Sequence, residues 1–286
     1  METVVLLGAG QMGKMVQNLI SPNHLKLLAV GDNNPAVWDR TGNVPICPVE
    51  EALRTQPDCV FLCVRGRERA QSLAAQARAK GYQGPLHFPG KLLENFDLRS
   101  AIFQRLSDRL ECWNVPGALA ELGTYKGDFA WQLNQRFPQR DLYLFDTFSG
   151  FDEHDIHTER QLYPSSRASA HDFSDTQVQK VVNRMPYPQR IIVRRGFFPE
   201  TAVGLEDVHY ALVSLDADLF APTLAGLRYF YPRLSPGGAL LLHDYNSAQF
   251  PGAKDAVNVF EKEFGPLTLL PLCDLHGTAV ILKPFS

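Results

Sequence analysis

Short apolar runs separated by segments of mixed polarity set the rhythm of the chain. TVVLL at 3–7, LKLLAVGD at 25–32 and CVFLCV at 59–64 are rich in aliphatic and β-branched residues and too short to be helices, so they read as buried strands. Residues 11–20 read as a helix between the first two runs, and an Ala-rich polar helix follows the third to about residue 80. This is a βαβαβ pattern. The stretch 84–98, with two prolines, two glycines and no clear period, reads as a linker. A helical segment, LRSAIFQRLSDRLECW, then leads into a second start. VPGALAELGTYKGDFAWQL repeats the order strand, glycine turn, helix, and strands follow at DLYLFD, RIIVRR, YALVSLD, GALLLHD and TAVILK. The expected fold class is α/β with two tandem Rossmann-like domains, over residues 1–95 and 96–286.

Composition narrows the function without choosing it. The chain has 286 residues, 45% of them hydrophobic and 21% charged, with a formal net charge of −3. Nothing basic points to nucleic acid, and no apolar run reaches the roughly 20 residues of a membrane span. The N-terminus lacks the basic cluster of a secretory signal, so a cytoplasmic protein is expected. Five scattered cysteines without a C-x-x-C pair indicate neither a disulfide framework nor a zinc ribbon. Cys59 and Cys63, in DCVFLCV, read as core residues.

The two glycine turns carry the candidate chemistry. Gly8, Gly10 and Gly13 have the G-x-G-x-x-G spacing of a dinucleotide-binding turn, and Asp32 follows Gly13 by 19 residues at a strand end. In the second half Asp146 follows Gly127 by the same 19 residues. A carboxylate accepts hydrogen bonds from both hydroxyls of a ribose, and glycine lets backbone approach a ligand closely. The second turn, however, is E-L-G-T-Y-K-G. An acid two residues before the first glycine suits a cationic group, such as the ammonium of S-adenosylmethionine, and would repel a pyrophosphate.

ELGTYKG at 121–127, LFDTFSGF at 144–151, SLDADLFAPTLAGL at 214–227 and LSPGGALLLHDYNSAQFPGAKDAV at 234–257 resemble the macrocin O-methyltransferase (TylF/MycF-type) family over roughly residues 100–286. Members methylate sugar hydroxyls of natural products with S-adenosylmethionine. The resemblance implies a class I S-adenosylmethionine-dependent methyltransferase fold for the second domain and an O-methyltransferase acting on a sugar, glycoside or related small molecule. It assigns Glu121, Gly123, Thr124 and Gly127 to the methionine end of the cofactor and Asp146 to its ribose. Thr147 and Phe148 would flank the ribose, and Phe197 or Phe198 in GFFPET would offer a surface to adenine. The family's metal pattern, an Asp after one strand and an acidic pair after the next, maps onto Asp216 and the pair His243–Asp244. His243 stands where the family has an acid. That substitution weakens the case for magnesium and admits manganese, iron, zinc or no metal. His243 has a second reading as general base, with Asp216 beside it as a catalytic group.

The polar segment between the DLYLFD and RIIVRR strands, with His154, His157 and His171, reads as a lid over the acceptor site, and its histidines as solvated loop residues. His276 reads as turn structure. For the first domain two roles stay open, a nucleotide site built on Gly8, Gly10, Gly13 and Asp32 or a structural and dimerising one. A homodimer is expected. Two further classes of function also stay open: an NAD(P)-linked oxidoreductase acting on a nucleotide sugar, and a non-catalytic nucleotide-binding scaffold of a saccharide pathway.

Overall fold

A computed structural model describes residues 1–93 and 95–285. The chain divides into two compact units, Met1–Leu98 together with Cys273–Leu275, and Arg99–Leu272 together with the residues from His276 onward. The first contains β1 (Glu2–Leu7), α1 (Gln11–Leu19), β2 (Leu25–Gly31), β3 (Ile46–Cys47), α2 (Val49–Leu53), β4 (Cys59–Leu62), α3 (Arg67–Ala79), β5 (Leu86–His87) and α4 (Pro89–Leu93). Its strands form one parallel sheet in the order β3-β2-β1-β4-β5. Residues Val4 to Leu7 of the central strand are fully buried. Val5 and Leu7 join one apolar cluster while Val4 and Leu6 join another. The two-residue period of a strand thus feeds two cores, which is why β1 reads as a continuous apolar run.

The stretch expected to be a linker is largely part of this unit. Leu86 and His87 pair with Val60 and Phe61 as the fifth strand, and α4 follows. A two-residue strand is too short to show a period, and its flanking prolines and glycines mask it. Glu94, inside that stretch, and the terminal Ser286 lie outside the described residues.

The second unit begins with α5 (Leu98–Cys112) and continues through β6 (Ala118–Leu122), α6 (Asp128–Arg136), β7 (Leu142–Asp146), α7 (Glu153–Leu162) and α8 (Val178–Arg184). Then come β8 (Ile191–Arg195), β9 (Tyr210–Leu215), α9 (Phe220–Arg233), β10 (Leu234–Leu242), α10 (Gly252–Phe264), β11 (Thr268–Pro271) and β12 (Ala279–Leu282). The sheet runs β11-β12-β10-β9-β6-β7-β8, parallel from β8 through β10, with β12 antiparallel to both of its neighbours, β10 and β11. Strand order reverses at β6, whose neighbours are β7 and β9. A crevice opens beyond the carboxyl ends of strands at such a reversal. The expected loop between β7 and β8 contains α7, started by the Asp152 side chain, which accepts the His154 N–H. Buried Glu159 ties this helix down by accepting the N–H of Phe220 at 2.9 Å, the first residue of α9. Among the described residues no helix is long and apolar enough to cross a membrane.

Phe230 of α9 is fully buried, with its ring centroid 5.6 Å from those of Phe145 and Phe198. Phe230→Ala should lower the unfolding free energy by about 3–5 kcal/mol, the range for deleting a large core aromatic. Urea denaturation measures this, and a loss under about 1 kcal/mol would place the ring outside the core that supports the crevice.

Candidate active site

The crevice of the second unit holds a cavity of about 380 Å³, lined from the ends of β6, β7, β9 and β10, the loop after β8 and the segment around α7. Its floor is the glycine turn. Gly123 has φ +85°, and a Cβ there would lie 1.9 Å from the Asp216 carbonyl oxygen, so β6 and β9 can approach this closely only over glycine. Tyr125, at φ +48°, and Gly127, at φ +75°, bring the chain round into α6. Asp146 fastens the turn: its Oδ2 accepts the Tyr125 N–H at 2.7 Å and its Oδ1 accepts the Phe148 N–H at 2.6 Å.

Glu121 ends β6 inside this cavity at 2% exposure. Its Oε1 has the Ser214 hydroxyl at 3.4 Å, and its Oε2 is buried without a hydrogen bond. Burial holds its pKa well above the usual carboxylate range, Asp216 and Asp146 add to the rise, and the Arg99 guanidinium only partly opposes it.

Further along the crevice the strand ends converge on a charged cluster. The Asp216 N–H bonds to the Leu122 carbonyl and the His243 N–H to the Leu215 carbonyl, which carries the strand ladder up to the site. Asp216 Oδ2 pairs with Arg99 Nη1 at 2.8 Å, and its Oδ1 pairs with His243 Nδ1 at the same distance. The same Nδ1 lies 3.0 Å from Asp244 Oδ2. Asp244 Oδ1 is buried without a hydrogen bond, with His276 Nδ1 at 3.4 Å. Asp218 and Asp244 both adopt φ +58°, a left-handed conformation that Asp tolerates better than most residues. Ligating atoms of Asp216, Asp218 and Asp244 lie within 4.8 Å of one another, as do those of His243, Asp244 and His276.

Opposite charges at this range decide the protonation states. Burial alone would lower the His243 pKa, but the Asp216 and Asp244 carboxylates lift it to about 10. Burial would raise Asp216, yet the His243 and Arg99 charges bring it to about 2; Asp244 also lies well below the ordinary range, through His243 and His276. Asp218 is pushed well above its ordinary value by burial and by the neighbouring Asp216 and Asp244 charges. His243 is therefore an imidazolium at neutral pH.

The cavity collects most residues that the sequence points to: Glu121, Gly123, Thr124, Asp146, Thr147, Phe197, Asp216, His243 and Asp244 all line it. Gly127 lies just beyond, closing the turn, where a Cβ would press on Met185 and Val181 at 2.8 Å. Phe148 departs from expectation. It turns through φ +52°, and its ring is buried in the core with Phe129, Leu144 and Val181, so the residue flanks the ribose position by its backbone N–H alone. His243 departs from the general-base reading, because it already holds its proton between two carboxylates. The histidines at 154, 157 and 171 are exposed, and it is Phe151, Asp152, Asp155 and Phe173 that this segment gives to the cavity. Gly8, Gly10, Gly13 and Asp32 form the corresponding turn of the first unit. Cys63 and Cys59 are buried, and burial pushes their thiols up to about 12 and about 11.

Three participants escaped the sequence reading. Arg99 gives no local signal, because it lies over a hundred positions from its partner Asp216. His276, read as turn structure, is brought to the cluster by the Asn246 N–H to Gly277 carbonyl bond, and its ring centroid stands 4.9 Å from that of His243. Asp218 was visible as the second acid of D-A-D, a spacing that could have flagged it.

A model of the macrocin-O-methyltransferase (TylF) family matches residues 68–282. Mycinamicin III 3''-O-methyltransferase of Micromonospora griseorubida is 28% identical over 162 residues, covering 53% of this chain and 63% of that protein. The 8-demethyl-8-(2,3-dimethoxy-alpha-L-rhamnosyl)-tetracenomycin-C 4'-O-methyltransferase of Streptomyces olivaceus is 27% identical over 180 residues, 59% of this chain and 66% of that protein. The matches thus span just under two thirds of these relatives. Among solved structures, the O-methyltransferase NovP superposes with a TM-score of 0.55 at 19% identity, covering 65% of this chain and 79% of its own. The calicheamicin methyltransferase CalS11 gives 0.52 at 17% identity, covering 74% and 84%. Both show likeness of fold.

Glu121 has a consequence for stability. With its pKa raised in the folded state, the folded protein binds a proton that the unfolded chain releases, so stability falls as pH rises from the ordinary glutamate range toward the lifted value. Glu121→Gln should therefore melt higher than the ligand-free parent at neutral pH, by on the order of 1 kcal/mol, with the gain vanishing below about pH 4. Thermal melts across pH check this. A variant less stable than the parent at every pH would show the carboxylate to be a structural partner.

Proposed function

The chain belongs to the macrocin-O-methyltransferase (TylF) family, and on that premise we propose that it transfers a methyl group from S-adenosylmethionine to a hydroxyl of a sugar or glycoside. The observation that carries the reading is Glu121: a buried carboxylate with an unsatisfied oxygen beside a glycine turn matches the ammonium of the cofactor's methionine end. Asp146 uses one lone pair of each oxygen on backbone N–H groups and keeps others for the ribose hydroxyls. Phe197 offers its ring to the adenine, while Thr124 and Thr147 add hydroxyls to the wall. The order of the second, mixed sheet and the parallel first sheet support the reading of a class I S-adenosylmethionine-dependent fold preceded by a Rossmann-like unit.

Methyl transfer forms a bond from the acceptor oxygen to the methyl carbon as the sulfur–carbon bond breaks, the sulfur leaving with the electron pair. The hydroxyl must lose its proton. Asp216, held near 2, is a weak base, so it takes that proton late, when the new bond has made the hydroxyl acidic. Imidazolium His243 and guanidinium Arg99 stabilise the negative charge around it, and both fix the Asp216 orientation. A divalent cation also fits this cluster. Asp244 Oδ1 is buried without a hydrogen bond, and either Asp216, Asp218 and Asp244 or His243, Asp244 and His276 would hold an ion. Bound there, it would act as a Lewis acid that lowers the pKa of the acceptor hydroxyl. At the group with His243 and His276 the ion would have to displace the His243 proton, and two neutral imidazoles would then favour manganese, iron or zinc over magnesium.

For the acceptor, Phe151, Phe173 and Phe250 supply apolar rings, and Asp152, Asp155 and Gln249 supply hydrogen-bonding groups, the combination that a sugar's two kinds of surface require. Burial, with the Asp152 charge, lifts Asp155 to about 7, so it can donate as well as accept near neutral pH. A relative named for methylating a rhamnosyl group supports the same class of acceptor.

The test is formation of S-adenosylhomocysteine with a panel of rhamnosylated acceptors, alongside calorimetric binding of S-adenosylmethionine. Asp216→Asn should lower kcat by about 100-fold or more while the cofactor Kd changes by less than about threefold. Failure of the parent protein to bind S-adenosylmethionine would remove the proposal, and full turnover by Asp216→Asn would remove the cluster from the chemistry. Exhaustive chelation should abolish turnover and manganese should restore it; full activity after chelation would leave His243 and Arg99 as the only cations at work.

A further inference from the structure

The glycine turn of the first unit, residues 8–10, is shorter than the turn at 123–127 of the second, and differs from it at the position that decides ligand charge. Asp32 Oδ2 accepts the Ala9 N–H at 2.7 Å and its Oδ1 accepts the Asn34 N–H at 2.8 Å; Asp146 likewise accepts one N–H from its glycine turn and one from two residues downstream of itself. Two residues before the first glycine, where the second unit has Glu121, the first unit has fully buried Leu6. No carboxylate there opposes an anion.

Its three glycines divide by cause. Gly8, at φ +111°, would place a Cβ 2.6 Å from the Cys63 carbonyl oxygen, and Gly13 would place one 1.9 Å from the Gly8 carbonyl oxygen. Both are dictated by packing. Gly10 is not. It is exposed, sits at φ −69° and ψ −167°, which any residue adopts, and a Cβ there would meet nothing within 4 Å. As the residue that starts α1 it also gives the helix no side-chain cap, and no acidic residue occupies the first turn. The fold itself does not ask for glycine at this place; close approach of a ligand to the backbone does.

Next to the turn lies a cavity of about 270 Å³ whose wall includes Gly8, Asp32, Val64, Arg69 and Ser72. It brings together a carboxylate with spare lone pairs, a guanidinium and a hydroxyl, and it lies near the lower end of the size range of ligand pockets, about 300 Å³. We propose that the first unit binds a nucleoside diphosphate, free or as part of a larger molecule, with the ribose on Asp32 and the diphosphate against the Gly10 backbone and Arg69. The proposal rests only on residues of the first unit, so it stands or falls apart from methyl transfer.

The full-length chain would be titrated calorimetrically with ADP, UDP, UDP-glucose, NAD⁺ and NADH, with S-adenosylmethionine titrated alongside as a reading of the other site. At least one diphosphate should bind in the micromolar range, and Gly10→Val should weaken it by about tenfold or more while the ligand-free melting temperature is unchanged. Arg69→Ala should weaken the same ligand without removing S-adenosylmethionine binding. Preference for NAD⁺ or NADH over ADP marks a dinucleotide, preference for UDP-glucose over UDP marks a nucleotide sugar, and equal binding of ADP or UDP marks the free nucleotide; each supports the site. No binding by any of the five, or binding undiminished in Gly10→Val, overturns it.

Discussion

A carboxylate buried at the end of β6 without enough hydrogen bonds is the constraint around which the second unit is arranged. An ionised side chain in such a place is unstable unless a cation meets it, and the Arg99 guanidinium only partly offsets the effect of burial. The fold carries this cost because the position lies where strand order reverses and a crevice opens. Everything that lines the crevice follows from how closely β6 and β9 approach, and that closeness depends on Gly123, whose missing Cβ makes room for the Asp216 carbonyl. The turn that presents Glu121 to a ligand is therefore also the turn that sets Asp216 beside it.

From that shared backbone the site develops two regions of different charge. Near Glu121 burial favours the neutral carboxyl form. Around Asp216 and Asp244 negative charge is balanced, since His243 and Arg99 hold both carboxylates ionised at low pKa. In the proposed function the cofactor's ammonium meets the first region and the reacting hydroxyl the second, which would separate binding from chemistry along one cavity. Replacing an acid of the family pattern by His243 keeps the balance by other means, because an imidazolium between two carboxylates does part of what a bound cation does. The first unit has fully buried Leu6 two residues before its first glycine, where the second has Glu121.

Much of this was legible in the residues. The strands came from apolar runs, and the turns and their partner aspartates came from glycine spacing, because backbone geometry restricts which residues can stand there. Two elements were not legible: β5, of two residues, is too short for a period and hid in what looked like a linker, and α7 is so polar that it hid in what looked like a loop. Arg99 and His276 were also out of reach, since each is brought to the cluster by packing between distant parts of the chain rather than by a local pattern. The charge state of His243 was out of reach for a related reason. Its pKa depends on two carboxylates at 2.8 and 3.0 Å, a distance that no spacing in sequence reports.

The central claim is that Glu121 receives the cofactor's ammonium. If so, Glu121 should give up a proton when S-adenosylmethionine binds, because the ammonium restores the carboxylate form that burial disfavours. Calorimetric titrations in buffers of different ionisation enthalpy, at a pH between the ordinary glutamate range and the lifted one, measure this directly. The account predicts net proton release in the parent protein and none in Glu121→Gln. Binding without proton exchange in the parent, or the same release in the variant, would contradict it.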